Sequence, residues 1–319
     1  MIKKTYSLIL FGFICGIALS ALTFLKDADS AGTYNDPGKE PLRANYGVFP
    51  ITIPEKLEFA GEKVPVDQVD VRESLDREIL VNTYFQSQTL LYIKRANRYF
   101  PEIERLLRKY DIPEDFKYLA VAESGLTQAV SPMKAVGFWQ LLEGTAREYG
   151  LEVNNEVDER YHIERATEAA CKYLRQSFKK YGNWTMAAAS YNAGRSGIDR
   201  QIQRQRETDY YDLLLNEETA RYLYRILSYK LILSNPSDYG FFVGKNDLYP
   251  EIPCFEVTID GRVESFSEFS KRYDINYKIL KWLNPWLREE YLTNRNAMNY
   301  FVKIPREGYF DPERPDKEM

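Results

Sequence analysis

The sequence predicts a mainly α-helical protein that ends in a small β-α-α-β module. Three observations carry that reading. Apolar residues recur among polar neighbours at helical spacing from Val69 onward, and Gly and Pro divide the span up to about Ser234 into short helices. No long alternating strand interrupts that span. Two alternating segments, Phe255–Ile259 and Tyr300–Ile304, appear only afterwards and bracket two short helical patterns. At 319 residues, 44% hydrophobic and 28% charged, the chain can build one good core and a smaller second domain.

The elements follow in order. Lys3 and Lys4 precede an apolar run from about Tyr6 to Leu25, and polarity returns at Lys26-Asp27. That is the layout of a signal peptide or N-terminal anchor over residues 1–30. The run is long enough to remain in a membrane, and Ala28-Asp29-Ser30 offers a small-residue cleavage site, so anchoring and cleavage both stay open. Cys15 lies inside the apolar run and fits a lipid-attachment site poorly. Residues 31–68 are rich in Pro, Gly, Asp and Lys without a sustained period, and read as an extended linker with a strand or two.

A helical domain is expected over residues 69–240. Leu80, Tyr84, Leu91 and Ile93 mark the helical pattern between Val69 and Tyr110, and Pro101 is expected to start a new helix through Ile103, Leu106 and Leu107. After Asn235-Pro236-Ser237 the character changes. A module at residues 250–307 is expected to run strand Phe255–Ile259, helices Phe266–Tyr273 and Tyr277–Leu283, and strand Tyr300–Ile304. Residues 308–319 form a polar, proline-broken tail.

Composition narrows the chemistry. A net charge of −4 argues against a nucleic-acid binder and against tight docking on an anionic membrane surface. One histidine, His162, and three scattered cysteines leave no expected metal site, and no cofactor is implied. His162 follows Glu159-Arg160-Tyr161 in a charged stretch and reads as a solvated helix-entry residue rather than a catalytic base. Cys171 and Cys254 fall in different expected domains, which argues against a disulfide. The 25 Tyr and 17 Phe suit either sugar stacking or a Tyr-rich helical core. Any catalysis falls to carboxylates.

One acid stands out. In Ile112-Pro113-Glu114-Asp115-Phe116-Lys117-Tyr118-Leu119-Ala120-Val121-Ala122-Glu123-Ser124-Gly125, Pro113 suits a first turn, the acids at 114 and 115 suit the positive end of the helix dipole, and Gly125 suits a stop. Phe116, Leu119, Ala120 and Glu123 fall at i, i+3, i+4 and i+7, so the acid shares the apolar face. Desolvation there raises a carboxyl pKa toward the range a general acid needs. The alternative reading of Glu123 is a structural partner for a core arginine or a neighbouring helix end.

Three further blocks follow. Gly137-Phe138-Trp139-Gln140 comes after Ser131-Pro132-Met133-Lys134-Ala135-Val136, Ala189-Ser190-Tyr191-Asn192-Ala193-Gly194 ends a helix begun at Trp184, and Leu215-Asn216-Glu217-Glu218-Thr219-Ala220-Arg221-Tyr222 opens another. Together and in this order, with Glu123-Ser124, they resemble the catalytic domain of the soluble lytic transglycosylase family over roughly residues 95–235. Asn216 stands where the family usually has Pro, Lys134 where it has a small residue, and Phe138 where Leu is usual. Arg98-Tyr99-Phe100-Pro101 and Ile112-Pro113-Glu114 are similar to the lead-in of the membrane-bound D-type members.

The resemblance implies a lysozyme-like helical domain that cuts peptidoglycan glycan strands, in the periplasm or cell envelope. It implies Glu123 as general acid and then base, with formation of a 1,6-anhydro ring. It further implies that Ser124 holds the acid or the substrate's peptide stem, that Tyr222 and Tyr191 orient the acid, that Gln140 and Asn192 bind sugar groups, and that Met133 lines the groove. The last module resembles a LysM domain through Phe255-x-Val257, Leu283-Asn284-Pro285 and Val302-x-Ile304-Pro305, which implies glycan binding; the usual Gly-Asp-Thr turn is replaced by Gly261-Arg262-Val263-Glu264-Ser265. Two rival readings remain: a water-adding muramidase on the same fold, for which Glu143 and Asp158 are candidate second acids, and a non-catalytic wall-binding scaffold.

Overall fold

A computed structural model of the chain describes residues 48–306 and residue 308. The segment read as a signal or anchor lies outside the described residues, as does nearly all of the polar tail. No helix among the described residues is long and apolar enough to cross a membrane.

The first element is a hairpin in the stretch read as linker. Strand β1 (Glu58–Phe59) pairs antiparallel with β2 (Glu62–Lys63) around Ala60 and Gly61, both at positive φ. Strands of two residues are too short to leave a period in the sequence. Their packing is nonetheless firm: Leu57, Phe59, Val64 and Val66 are buried, and the Phe59 ring meets Phe116 edge-on at 5.2 Å. The Ala60 N–H donates to Asp115 at 2.7 Å, and the Glu62 carboxylate accepts from the Thr185 N–H and hydroxyl at 2.9 and 2.6 Å. From Ile53 to Val66 the supposed linker is part of the core.

Helices α1 (Val69–Tyr84) and α2 (Gln86–Lys109) are separated at Phe85, not at Pro101. Pro101 lies inside α2, where it removes one backbone bond and crowds the preceding turn. The helix continues because one buried face, Tyr92, Ile93 and Ala96 before it and Ile103, Leu106 and Leu107 after it, is continuous across the proline. A 3-10 turn (Glu114–Phe116) leads into α3 (Lys117–Ser124), followed by α4 (Glu143–Glu148), α5 (Ile163–Tyr181), α6 (Trp184–Ala193), α7 (Arg195–Gln205) and α8 (Glu217–Ser234). Asn183 and Asn216 cap α6 and α8 by accepting from the N–H groups of Met186 and Thr219.

Helix α8 is the central strut, packed on α1, α3 and α6. Its contact with α1 is polar as well as apolar. Buried Glu78 accepts from Arg221 at 2.6 Å, and buried Asn82 donates to Ser228 at 2.7 Å while accepting from Tyr229 at 3.0 Å.

The C-terminal module has the expected order. Strand β3 (Cys254–Ile259) pairs antiparallel with β4 (Tyr300–Pro305), in register from Cys254↔Pro305 to Ile259↔Tyr300, with α9 (Phe266–Lys271) and α10 (Tyr277–Leu283) between them. Asn284 is fully buried and binds both backbone groups of Lys303, at 2.8 Å each, so this one side chain pins the end of α10 to β4.

The module is continuous with the helical body. Val136, Val157 and Tyr161 share a core with Phe266, Leu280, Trp286 and Val302. A bridge joins Val157 to Leu287, the Asp158 N–H donates to the Trp286 carbonyl at 2.9 Å, and the Glu156 carboxylate accepts from the Thr293 N–H at 2.6 Å. The Arg288 guanidinium lies 4.0 Å from the Tyr161 ring centroid. His162 does enter a helix, preceding α5, but it is not a solvated residue. Its ring lies 5.3 Å from that of Trp286, and its Nδ1 lies 2.9 Å from a Glu164 carboxylate oxygen. Cys171 and Cys254 are free thiols.

Gly125, where α3 stops, is conformationally obligatory on two counts. It sits at φ +59, and a Cβ there would lie 2.2 Å from the Tyr92 ring. Gly125→Ala is expected to destabilise the protein by about 2–4 kcal/mol, combining left-handed strain with overpacking, as read by denaturant unfolding.

Candidate active site at Glu123

Helix α3 is only eight residues long, and it buries Tyr118, Leu119, Ala120 and Val121. That places Glu123 in its last turn, where the negative end of the helix dipole adds nothing to favour a charged carboxylate. Tyr222 of α8, 2% exposed, donates its hydroxyl to Glu123 Oε1. Burial pushes the Glu123 carboxyl up to about 7, and nearby Glu218 pushes the same way. The Tyr222 hydrogen bond and Arg225 pull it down, but burial prevails. Burial and Glu123 together hold the Tyr222 hydroxyl well above its ordinary pKa, so it is a permanent donor to the acid.

The loop after α3 is fastened by several of the residues singled out in the sequence. Ser124 does not reach the acid: its hydroxyl donates to the Phe138 carbonyl at 2.9 Å and so ties the loop to the helix end. Gln140 uses its amide N–H groups within the loop, donating to the Gly137 and Ala129 carbonyls at 2.8 and 3.0 Å. Tyr191 of α6 donates to the Trp139 carbonyl at 2.8 Å rather than to Glu123. The Trp139 ring is fully buried, with its Nε1–H on Thr167 at 2.8 Å. Each of these bonds spends a side chain on holding the loop, which is why the expected contacts to acid or sugar are not all available to them.

The remaining candidates divide. Asn192 accepts from the Thr219 hydroxyl at 2.8 Å and donates to Glu218 at 3.4 Å. Met133 is 80% exposed. Lys134 sits at φ +61, which explains in steric terms why a small residue suits that position. Gly137, at φ +79, passes so close to Arg160 that a Cβ would lie 2.2 Å from its carbonyl oxygen.

Neither candidate second acid stands unengaged. Buried Asp158 pairs with Arg160 at 2.7 Å, and Glu143 pairs with Arg147 at 3.0 Å. The acid that does act on Glu123 electrostatically is Glu218, which sequence reasoning passed over. Its signal was present: Glu218, Tyr222 and Arg225 recur at i, i+4 and i+7 and therefore share one face of α8. Among the described residues no group of His, Cys, Asp and Glu could hold a metal ion.

Comparison with known proteins gives the same two-part division. Residues 101–214 match the family described as transglycosylase SLT domain, and residues 255–308 match the soluble lytic transglycosylase C-terminal LysM-like domain. The chain is 30% identical over 191 residues to the membrane-bound lytic murein transglycosylase D of Escherichia coli strain K12, and equally to that of strain O6:H1. The match covers 57% of this chain but 41% of each relative, so the chain spans about two fifths of their length.

The raised Glu123 pKa predicts a stability effect independent of any activity. The unfolded carboxyl ionises near 4.5 and the folded one near 7, so native stability falls as pH rises between those values. Glu123→Gln removes that burden. Relative to the parent, the variant should gain on the order of 1–3 kcal/mol between pH 4 and pH 8, measured by denaturant unfolding at both.

Proposed function

We infer, from a chain that carries a transglycosylase SLT domain followed by an SLT-type LysM-like domain, that it is a peptidoglycan lytic transglycosylase. The observation that carries this reading is a carboxyl group, Glu123, held by Tyr222 and tuned to about 7. Such a group is protonated enough to act as an acid at neutral pH and ionised readily enough to act next as a base.

The proposed reaction needs only that one carboxyl. Glu123 gives its proton to the oxygen linking N-acetylmuramic acid to N-acetylglucosamine, and the bond from that oxygen to the muramoyl anomeric carbon breaks. The resulting carboxylate takes the proton of the muramoyl C6 hydroxyl, whose oxygen bonds to the anomeric carbon and closes a 1,6-anhydro ring. The proton inventory closes on Glu123, and no water is consumed. Water-adding glycosidases use a second carboxylate to activate water or to attack. The engagement of Glu143, Asp158 and Glu218 with Arg147, Arg160 and Asn192 favours the water-free route. In this reading Tyr222 orients the acid, and Ser124, Gln140 and Tyr191 hold the groove loop through Phe138, Gly137 and Trp139. Met133, 80% exposed, is the side chain left to meet sugar, and Asn192 has one amide N–H to offer beyond its bonds to Thr219 and Glu218. The substrate places the protein in the cell envelope, consistent with the apolar segment at residues 6–25.

Digestion of peptidoglycan sacculi with purified protein, followed by mass spectrometry, tests the reading. Muropeptides one water lighter than hydrolysis products are expected, with turnover reduced about 10²–10⁴-fold in Glu123→Gln. Reducing-end products would make it a muramidase, and sacculus binding without products would make it a scaffold. Tyr222→Phe removes a contact that lowers the Glu123 pKa. Since the first step needs the protonated acid, activity falls as pH rises through that pKa. In Tyr222→Phe this fall is expected at higher pH, as read from a pH–rate profile.

A further inference from the structure

Helix α1 lies outside the transglycosylase SLT match at residues 101–214, yet it packs on α8, the helix that brings Tyr222 and Arg225 to the acid. Most of its buried face is apolar, with Val71, Leu75 and Ile79 fully buried. Beside them sits a carboxylate, Glu78, only 1% exposed. Packing alone does not ask for it, since apolar residues of similar volume hold two helices together as well as a buried ion pair does.

Two arginines of α8 converge on Glu78. Arg221 donates its Nε–H to Glu78 Oε1 at 2.6 Å, and the Arg225 Nε lies 3.8 Å from Oε2. Arg221 has a second acid, Glu217, at 3.4 Å on the surface. Arg225 has no such alternative: among the described residues, Glu78 is the one carboxylate within 4.0 Å of it. Arg225 follows Tyr222 at i+3, so it also borders the acid that Tyr222 binds. It lowers the Glu123 pKa from a distance, and among the described residues it is the one cation that does so. Arg225 thus stands between two carboxylates and is held by the one that takes no part in the chemistry.

The neighbouring groups leave this arrangement intact. Around Glu123 they are Tyr222 and Glu218 of α8 and Tyr191 of α6, while Arg95 of α2 donates to the Gly125 carbonyl at 3.0 Å. Tyr210 and Tyr229 lie near Glu78, and Tyr92 and Tyr229 near Arg225; burial raises the pKa of all three hydroxyls, so they add no charge at neutral pH.

We propose that Glu78 is a positioning residue for the reaction at Glu123: it draws Arg225 toward α1 and offsets its charge, so that the arginine does not pair with the acid. The use of Glu123 as an acid rests on the function proposed above; the restraint of Arg225 by Glu78 does not.

The test follows Glu123 in the full-length protein through its side-chain carboxyl-carbon NMR resonance, assigned by its loss in Glu123→Gln. The pH–rate profile on sacculi is measured in parallel. In Glu78→Gln the titration midpoint and the fall in kcat at high pH are both expected about one pH unit lower, because an uncompensated positive charge favours the carboxylate. From a midpoint of about 7, that shift lowers kcat at pH 7 about fivefold and leaves kcat at pH 5 and KM nearly unchanged. Glu78→Asp keeps the charge and should keep the midpoint near that of the parent. Adding Arg225→Gln to Glu78→Gln should return the midpoint to the parent's value or above it. If Glu78→Gln does not fold, Glu78→Leu with Arg221→Leu removes the buried pair whole and leaves Arg225 unpaired, and the same downward shift is expected. An unmoved midpoint, with kcat lowered equally at pH 5 and pH 7, would overturn the proposal and make Glu78 a packing residue. So would a downward shift that Arg225→Gln does not reverse. Anhydro products from the parent with an unmoved midpoint in Glu78→Gln would remove the positioning role and leave the cutting activity standing. A shifted midpoint in a protein that makes no product would sustain the positioning of the carboxyl and remove the cutting reading.

Discussion

One requirement governs the site in the helical body: a carboxyl group that keeps partial access to solvent must be desolvated without being forced to ionise or to pair with a cation. Glu123 meets it by sitting in the last turn of a short helix, where the dipole opposes charge, beneath a tyrosine hydroxyl that satisfies one oxygen. Arg225 is near enough to temper the acid, but Glu218 counters it, and burial sets the balance. An arginine bonded directly to Glu123 would hold it ionised and remove its use as an acid.

The surrounding loop shows what keeps that geometry fixed. Its backbone passes through left-handed conformations at Lys134, Gly137 and Gln140; glycine adopts that conformation freely, but at Lys134 and Gln140 it is strained and persists only when neighbours over-determine it. The neighbours are identifiable. Ser124 and Tyr191 hold the Phe138 and Trp139 carbonyls from the active-site side, and Arg160 holds the Lys134 carbonyl at 3.1 Å from the other. Arg160 is oriented by Asp158, whose own N–H is bound by Trp286 of the C-terminal module. A chain of bonded groups thus runs from the module to the loop beside the acid. The module is a buttress as well as a candidate binding surface.

Several of these arrangements were legible in the chain. The β-α-α-β order was readable because each strand alternates over about five residues and each helix carries an Asn or Ser cap. The helix bearing Glu123 was readable from Pro113, the apolar face and Gly125. The hairpin at residues 58–63 was readable only as a strand or two in a linker, without place or pairing, because two-residue strands leave no period. Pro101 misled because a proline is ordinarily disfavoured in a helix interior, whereas here one buried face spans it and holds the turn. His162 misled because charged neighbours in sequence say nothing about Trp286, which arrives from more than a hundred residues away.

What the sequence determined by itself was local: the helix that carries Glu123, its stop at Gly125, the strand and helix order of the C-terminal module, and an acid placed among apolar residues. These follow from backbone sterics and short-range periodicity, which act within a turn or two. What only the tertiary structure decided was the use of each polar group. Ser124, Gln140 and Tyr191 each carry a donor that could equally reach acid, sugar or backbone, and the choice depends on which carbonyl the fold brings within 3 Å. Hydrogen bonds are too short-ranged to be assigned before the chain is folded. The same holds for the Glu123 pKa, since desolvation is a property of everything packed around the group and not of the residue that carries it.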